Sequence, residues 1–253
     1  MGYFTKTLRP TLPVATMINS NASDLAFRAQ DLMWDWFAFD LPQPACRLVS
    51  ATMLVRGEDG LPQTDRDMQL FFAKSDADGT APTSMGTGNA SVDGYGYYNN
   101  LLAHITVDIA EFAIGLDYMS MATGGMGGED AVKTGGRNLV LQGEPNSGTN
   151  VGYDKLYVAG FCGGAIDFST GVLSTGAISA DTQTTIAVDT VDARKAFQKG
   201  DKVYIHDLDT LCGTVASVAS GVITLEANNV VAIANNDEII NGSPMRLSLG
   251  FSR

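Results

Sequence analysis

Short runs in which apolar and polar residues alternate, each closed by a turn rich in Gly, Asn or Asp, recur along this chain of 253 residues. Thr185-Ile-Ala-Val-Asp189 and Met245-Arg-Leu-Ser-Leu-Gly-Phe251 show the alternation most cleanly. Successive side chains of a strand point to opposite faces, so a period of two sends one set to a core and the other to solvent. An amphipathic helix needs its apolar residues three or four apart and cannot use this pattern. The chain is therefore expected to be all-β.

Further strands are predicted at Cys46 to Arg56, ending in the turn Gly57-Glu-Asp-Gly60, and at Met68 to Ala73. Leu101 to Ile109 alternates over its second half, and Asn138 to Gln142 and Lys155 to Phe168 also read as strand, the last buried on both faces for part of its length. The stretch Lys74–Gly94 is polar and reads as a long surface loop. Met119 to Gly136, with two glycine clusters, reads as a mobile surface segment. Asn19 to Phe39 is ambiguous: Leu25, Ala29, Leu32, Trp36 and Phe39 share one helical face, yet Phe37, Phe39 and Leu41 suit a strand. A short helix or irregular piece passing into a strand is expected there.

Three regions follow. Residues 1–20, with Pro10 and Pro13 and no helical stripe, form an extended N-terminal arm that is either loose or docked on a neighbouring subunit. Residues 176–242 carry short strands with closely spaced turns, the pattern of a small β-barrel. The alternating tail would complete a sheet of the first domain. That makes the barrel an insertion into a jelly-roll-like β-sandwich of residues 21–175 plus 243–253, tolerated where a domain's two connections lie close together.

Composition narrows the function. The 28 acidic residues outnumber 16 basic ones, a net charge of −12 with no basic run. Such a chain repels phosphate backbones and lacks the counterion-release term that drives nucleic-acid binding. Only 17% of residues are charged, so Ser, Thr, Asn, Gln and Gly must cover much of the surface, which suits assembly subunits. Cys46, Cys162 and Cys212 are odd in number, far apart and set in apolar stretches. They read as buried reduced thiols, consistent with synthesis in a reducing cytoplasm. Neither a secretory leader nor an apolar run long enough to cross a bilayer is evident, so no membrane partner is expected.

Candidates for chemistry are few. His104 and Asp108 fall on one face of a predicted strand, a possible fragment of a triad, but no nucleophile signature accompanies them. His206, Asp207 and Asp209 mark a hairpin tip with three potential metal ligands, an arrangement usually just solvated. Asp76-Ala-Asp-Gly79 imitates the start of a calcium loop without its later ligands. The run Gly124-Gly-Met-Gly-Gly128 lacks the Lys-Ser/Thr of a phosphate loop. No catalytic residue, metal site or cofactor is expected. Trp34, Trp36, Phe37 and Phe39 form the densest aromatic cluster and suit a core or subunit interface better than a sugar platform. Interface candidates are Tyr3, Phe4, Leu8, Leu12 and Val14 of the arm, and Tyr95, Tyr97 and Tyr98, which Gly94 and Gly96 interleave in an adaptable contact stretch.

Residues 184–240 carry a likeness. Thr-Ile-Ala-Val-Asp-Thr, Phe197-Gln-Lys-Gly-Asp-Lys-Val-Tyr, Cys212-Gly-Thr-Val-Ala-Ser-Val, Gly221-Val-Ile-Thr-Leu and Asn235-Asn-Asp-Glu-Ile resemble small β modules of tailed-bacteriophage virion proteins. More loosely, the arm and sandwich-like strands resemble phage capsid decoration (cement) proteins. The resemblance implies a non-enzymatic structural protein, made in the bacterial host cytoplasm, that binds the virion's capsid exterior and bridges neighbouring subunits. It implies the major capsid protein and further copies of the chain as partners, as a homotrimer. The rival expectation is a tail, head-fibre or adhesin subunit that binds host glycans, which would need exposed aromatics on the barrel.

Overall fold

The computed structural model describes residues 2–13, 26–41, 45–62, 67–76, 80–88, 99–107, 112–116, 118–125, 139–142, 155–206, 208 and 210–252. It is nearly all β, and among the described residues its one α-helix is the single turn Ala193–Ala196.

One sheet has six strands. β1 (Tyr3–Leu8), β18 (Met245–Ser252), β4 (Ala45–Arg56), β8 (Met119–Gly125) and β7 (Phe112–Leu116) lie in that order, and β9 (Leu139–Gln142) also pairs with β4. All pairings are antiparallel. β4 is long enough to hold β9 against Ala45–Leu48 and β8 against Ser50–Arg56 along the same edge. The register against β18 slips between Gly250 and Phe251. This bulge lets Leu48 and Ala51, three apart, both face inward.

A second sheet of four strands orders β3 (Leu32–Asp40), β10 (Lys155–Cys162), β5 (Met68–Lys74) and β6 (Leu101–Val107). β10, central and flanked on both sides, is buried from Leu156 to Cys162. The two sheets enclose one core: Leu48, Met53, Leu247 and Phe251 from the first meet Phe39, Phe72, Ile105 and Val158 from the second. On β10, Gly160 makes room for the Trp34 ring, which a Cβ there would overlap. The Trp34 indole donates to Val158 O at 3.2 Å. Beside this sandwich β2 (Ala26–Phe27) pairs with β11 (Ile166–Asp167).

The remaining strands form a barrel-like sheet with its own core: β12 (Val172–Ser174), β13 (Thr185–Thr190), β16 (Val222–Leu225), β15 (Leu211–Ala219), β14 (Lys202–Ile205) and β17 (Ile239–Asn241). A bridge between Leu173 and Glu238 brings the first strand back to the last and nearly closes it. Ile186, Val203, Val215, Ile223 and Phe197 fill the interior. Asn229, fully buried, has both ends of its amide occupied by Gln183 N, Ser179 O and Val231 O, as a buried amide requires.

Three expectations need correction. Residues 3–8 are not a free arm: they are the edge strand β1, hydrogen-bonded to the chain's own β18. Met119–Gly125 is not a loose surface segment but β8, paired with β4. Leu32–Asp40 is strand throughout, so the helical face through Leu32, Trp36 and Phe39 does not form. In addition, β12 joins the barrel sheet at Val172, ahead of the boundary expected at Gly176.

Candidate interaction surfaces

The expected interface residues separate into three fates. Tyr3 lies on the outer face of β1 and is 71% exposed. Phe4 faces inward and stacks on Phe251, with ring centroids 5.1 Å apart. Leu8 and Leu12 are buried in the sandwich core, which leaves neither available to a neighbour. Val14, Tyr95, Tyr97 and Tyr98 lie outside the described residues, as do Asp108, Asp207, Asp209 and residues 77–79.

Among the described residues no strand pairs with the outer edge of β1. Lys6 sits opposite Leu249 and therefore points toward the core side at that edge. A charge aimed inward on an edge strand discourages another strand from pairing there. The outer face of the same sheet is hydroxylated. Thr7, Ser248, Thr52 and Thr123 lie side by side across four strands. Thr7 Oγ1 is 3.3 Å from Ser248 Oγ, and Thr52 Oγ1 is 3.2 Å from Thr123 Oγ1. Such cross-strand pairs fix the side chains as a flat polar row.

The outer face of the second sheet is different in kind. Phe71 stands between Phe161, edge-on at 5.1 Å, and His104, stacked at 5.7 Å. Leu32, Met85, Ala159, Trp36 and Leu101 extend this satellite cluster. The segment around Met85 is tied down by two bonds: the Trp36 indole donates to Thr83 O at 2.9 Å, and Met85 N donates to Asp35 Oδ1 at 3.1 Å. Phe71 and Trp36 are half-buried, and His104 is exposed. His104 is thus an aromatic neighbour of Phe71. The sequence offered it as a triad fragment or, far more readily, as a plain strand histidine, and cross-strand register pairs it with Phe71.

Sandwich and barrel meet through Ile240 and Tyr204, which pack on the sandwich core, and through polar groups. Asp201 is completely buried. Its Oδ2 accepts from Gln198 N and Asn241 Nδ2, both at 2.9 Å, while Asn241 also donates to Ala196 O. Its Oδ1 accepts no hydrogen bond and lies 3.6 Å from Arg9 Nη1. Gly200, with φ 85°, holds the tight turn that brings Asp201 there. Burial pushes the Asp201 carboxyl above its ordinary range, against the pull of Arg56, the two hydrogen-bond donors and Arg9. Arg56, at the end of β4, is 7% exposed and donates to Lys195 O. Its guanidinium is held below its usual pKa, first by desolvation, with Asp201 opposing. The incoming and outgoing strands of the barrel are laced by Glu238, whose Oε1 accepts from Thr170 N and Gly171 N at 2.8 and 3.1 Å.

The barrel's two aromatics do not face solvent. Phe197 is buried, and Tyr204 is half-buried against the sandwich core. That leaves the glycan-binding expectation without its platform on the described barrel surface. All three cysteines are buried, and none is in a disulfide bond. Burial raises Cys162 to about 12 and Cys212 to about 11, which keeps both protonated and unreactive. Among the described residues no cluster of His, Cys, Asp or Glu could hold a metal ion, and no helix is long and apolar enough to cross a membrane.

In comparisons with known proteins, no family model matches the chain, and no curated protein matches it either. The fold defines an all-β chain whose sandwich and barrel cores are joined at a largely polar seam.

Proposed function

We propose that this chain is a non-enzymatic virion protein that binds the exterior of a tailed-phage capsid and bridges neighbouring subunits of the shell. Its partners are the major capsid protein and further copies of itself, as a homotrimer, with no cofactor, nucleic acid or membrane involved. The observation that carries the reading is the aromatic outer face around Phe71. A partly exposed apolar cluster on a sheet face is a common anatomy of a protein-binding patch. Three further features support it: the hydroxylated face of the other sheet, the phage-like pattern of the barrel strands, and the sequestered thiols. Together they give the molecule broad contact area, and in a bridging subunit area and a few aromatic anchors supply the binding free energy.

The test is co-sedimentation of the purified chain with capsids that lack it. Saturable binding at a fixed number of copies per capsid, and a raised temperature of capsid disruption, are expected. A chain that stays in the supernatant at all concentrations refutes the reading.

A further inference from the structure

A small pocket of about 130 Å³ opens where the outer face of the first sheet abuts the barrel turn at Gln198. Arg56 and Arg246 line it with Gln198, and Leu54 and Met119 form its apolar wall. Both arginines reach it for a topological reason: Arg246 pairs with Leu54, and Arg56 with Met119, on adjacent strands of one sheet.

The charges of this corner do not balance. Arg9 and Arg56 face the buried carboxyl of Asp201, and Arg246 adds a third guanidinium beside Arg56. Arg56 is satisfied by Lys195 O and lies over the Tyr118 ring at 5.9 Å. The Nε of Arg246 is buried and has no hydrogen-bond partner among the described residues. A buried charged donor without an acceptor costs more than an ordinary missing bond. Arg9 and Arg246 both oppose the charge on Arg56. In a chain of net charge −12, a concentrated local excess of positive charge is the exception, and it lines a cavity.

We infer that this pocket is a binding site for one compact oxyanion, a phosphate or a carboxylate, held by Arg246 and Arg56 with Gln198 at its rim. Planar guanidinium groups match the oxygens of both anions, and a donor already desolvated gains most from meeting one. The volume admits a tetrahedral anion or the carboxylate end of an acidic side chain and excludes a nucleotide. A free anion would brace the seam between sandwich and barrel. An acidic side chain of another subunit would make the same pocket a docking point. This site does not depend on the capsid reading.

Calorimetric titration of the whole chain with inorganic phosphate tests it, against sodium chloride at matched ionic strength and against acetate. A saturable site with a stoichiometry of one per chain is expected for phosphate and not for chloride. Acetate competing for that site identifies carboxylate as an equal ligand, and its failure to compete restricts the site to phosphate. Arg246→Gln, at a half-exposed position, should weaken binding by about tenfold or more, the weight of one charge-assisted hydrogen bond. Arg246→Lys should recover part of it, and Gln198→Ala should weaken it by roughly threefold. Absence of saturable heat with either anion, or Arg246→Gln binding as tightly as the parent, overturns the inference.

Discussion

Arg9, just past the N-terminal strand, reaches Asp201 in the barrel: its Nη1 lies 3.6 Å from Oδ1 and donates to Lys199 O at 2.8 Å. Three residues on, Leu12 N donates to Gly242 O at 2.8 Å. The N-terminal stretch is thus a strap across the seam between the two cores, rather than an arm held out to a neighbour.

Asp201 gives the seam a pH signature. Because burial raises its pKa in the folded chain, the folded state keeps a proton that the unfolded state has released. Its contribution to stability therefore grows as the pH falls through the folded pKa and is lost toward neutrality. Asp201→Asn should be at least as stable as the parent at pH 7 and show a flatter stability profile as the pH rises above the ordinary carboxylate range. Asp201→Ala strands two buried donors and should cost about 2–4 kcal/mol. Urea unfolding from that range up to pH 7 measures both, and a steep loss of stability in Asp201→Asn at pH 7 contradicts this assignment.

Removing residues 1–13 strips an edge strand, Phe4, two core leucines and Arg9. At roughly 1.5–3 kcal/mol per buried side chain, the loss is about 5 kcal/mol, a large part of a typical domain's stability. The truncated chain should melt far lower or fail to fold, as circular dichroism will show. A truncation that melts like the parent rules out the strap.

Gly160→Ala should destabilise the sandwich by about 1–3 kcal/mol, because the new methyl group meets the packed Trp34 ring. Trp34→Phe in the same chain should restore part of the loss, an interaction that a double-mutant cycle reads directly.

If the proposed capsid role holds, Phe71→Ser with His104→Ala should leave the circular dichroism spectrum intact while lowering capsid affinity by about tenfold or more, as removal of an aromatic anchor does. Unchanged affinity moves the contact surface elsewhere.

Thiol reagents at pH 8 should label none of the three cysteines in the native chain and all three after denaturation. Rapid labelling of the native protein contradicts the burial described for Cys46, Cys162 and Cys212.

The all-β class and the strands at 45–56, 68–74, 185–190, 202–205 and 245–252 were legible because their inward and outward residues alternate along most of each strand. β1 was hidden by Lys6, which breaks the inward series Phe4, Leu8. β8 was hidden by reversed polarity: its buried residues are Ser120 and Ala122, while Met121 is exposed. Small side chains there face a crowded core, so the sequence resembles a glycine-rich loop. In β3 the register slips between Trp34 and Phe37, which puts apolar residues at helix-like spacing and invites the wrong period. The polar seam was illegible for another reason: Arg9, Arg56, Asp201, Asn241 and Arg246 come together only through pairing of distant strands. No local pattern records that.

The most direct measurement is cryo-electron microscopy of virions beside virions lacking this chain. The account predicts density on the outer capsid surface, spanning adjacent capsid subunits, that accommodates the sandwich and barrel and vanishes with the chain. Density confined to the tail or fibres, or two identical shells, would contradict it.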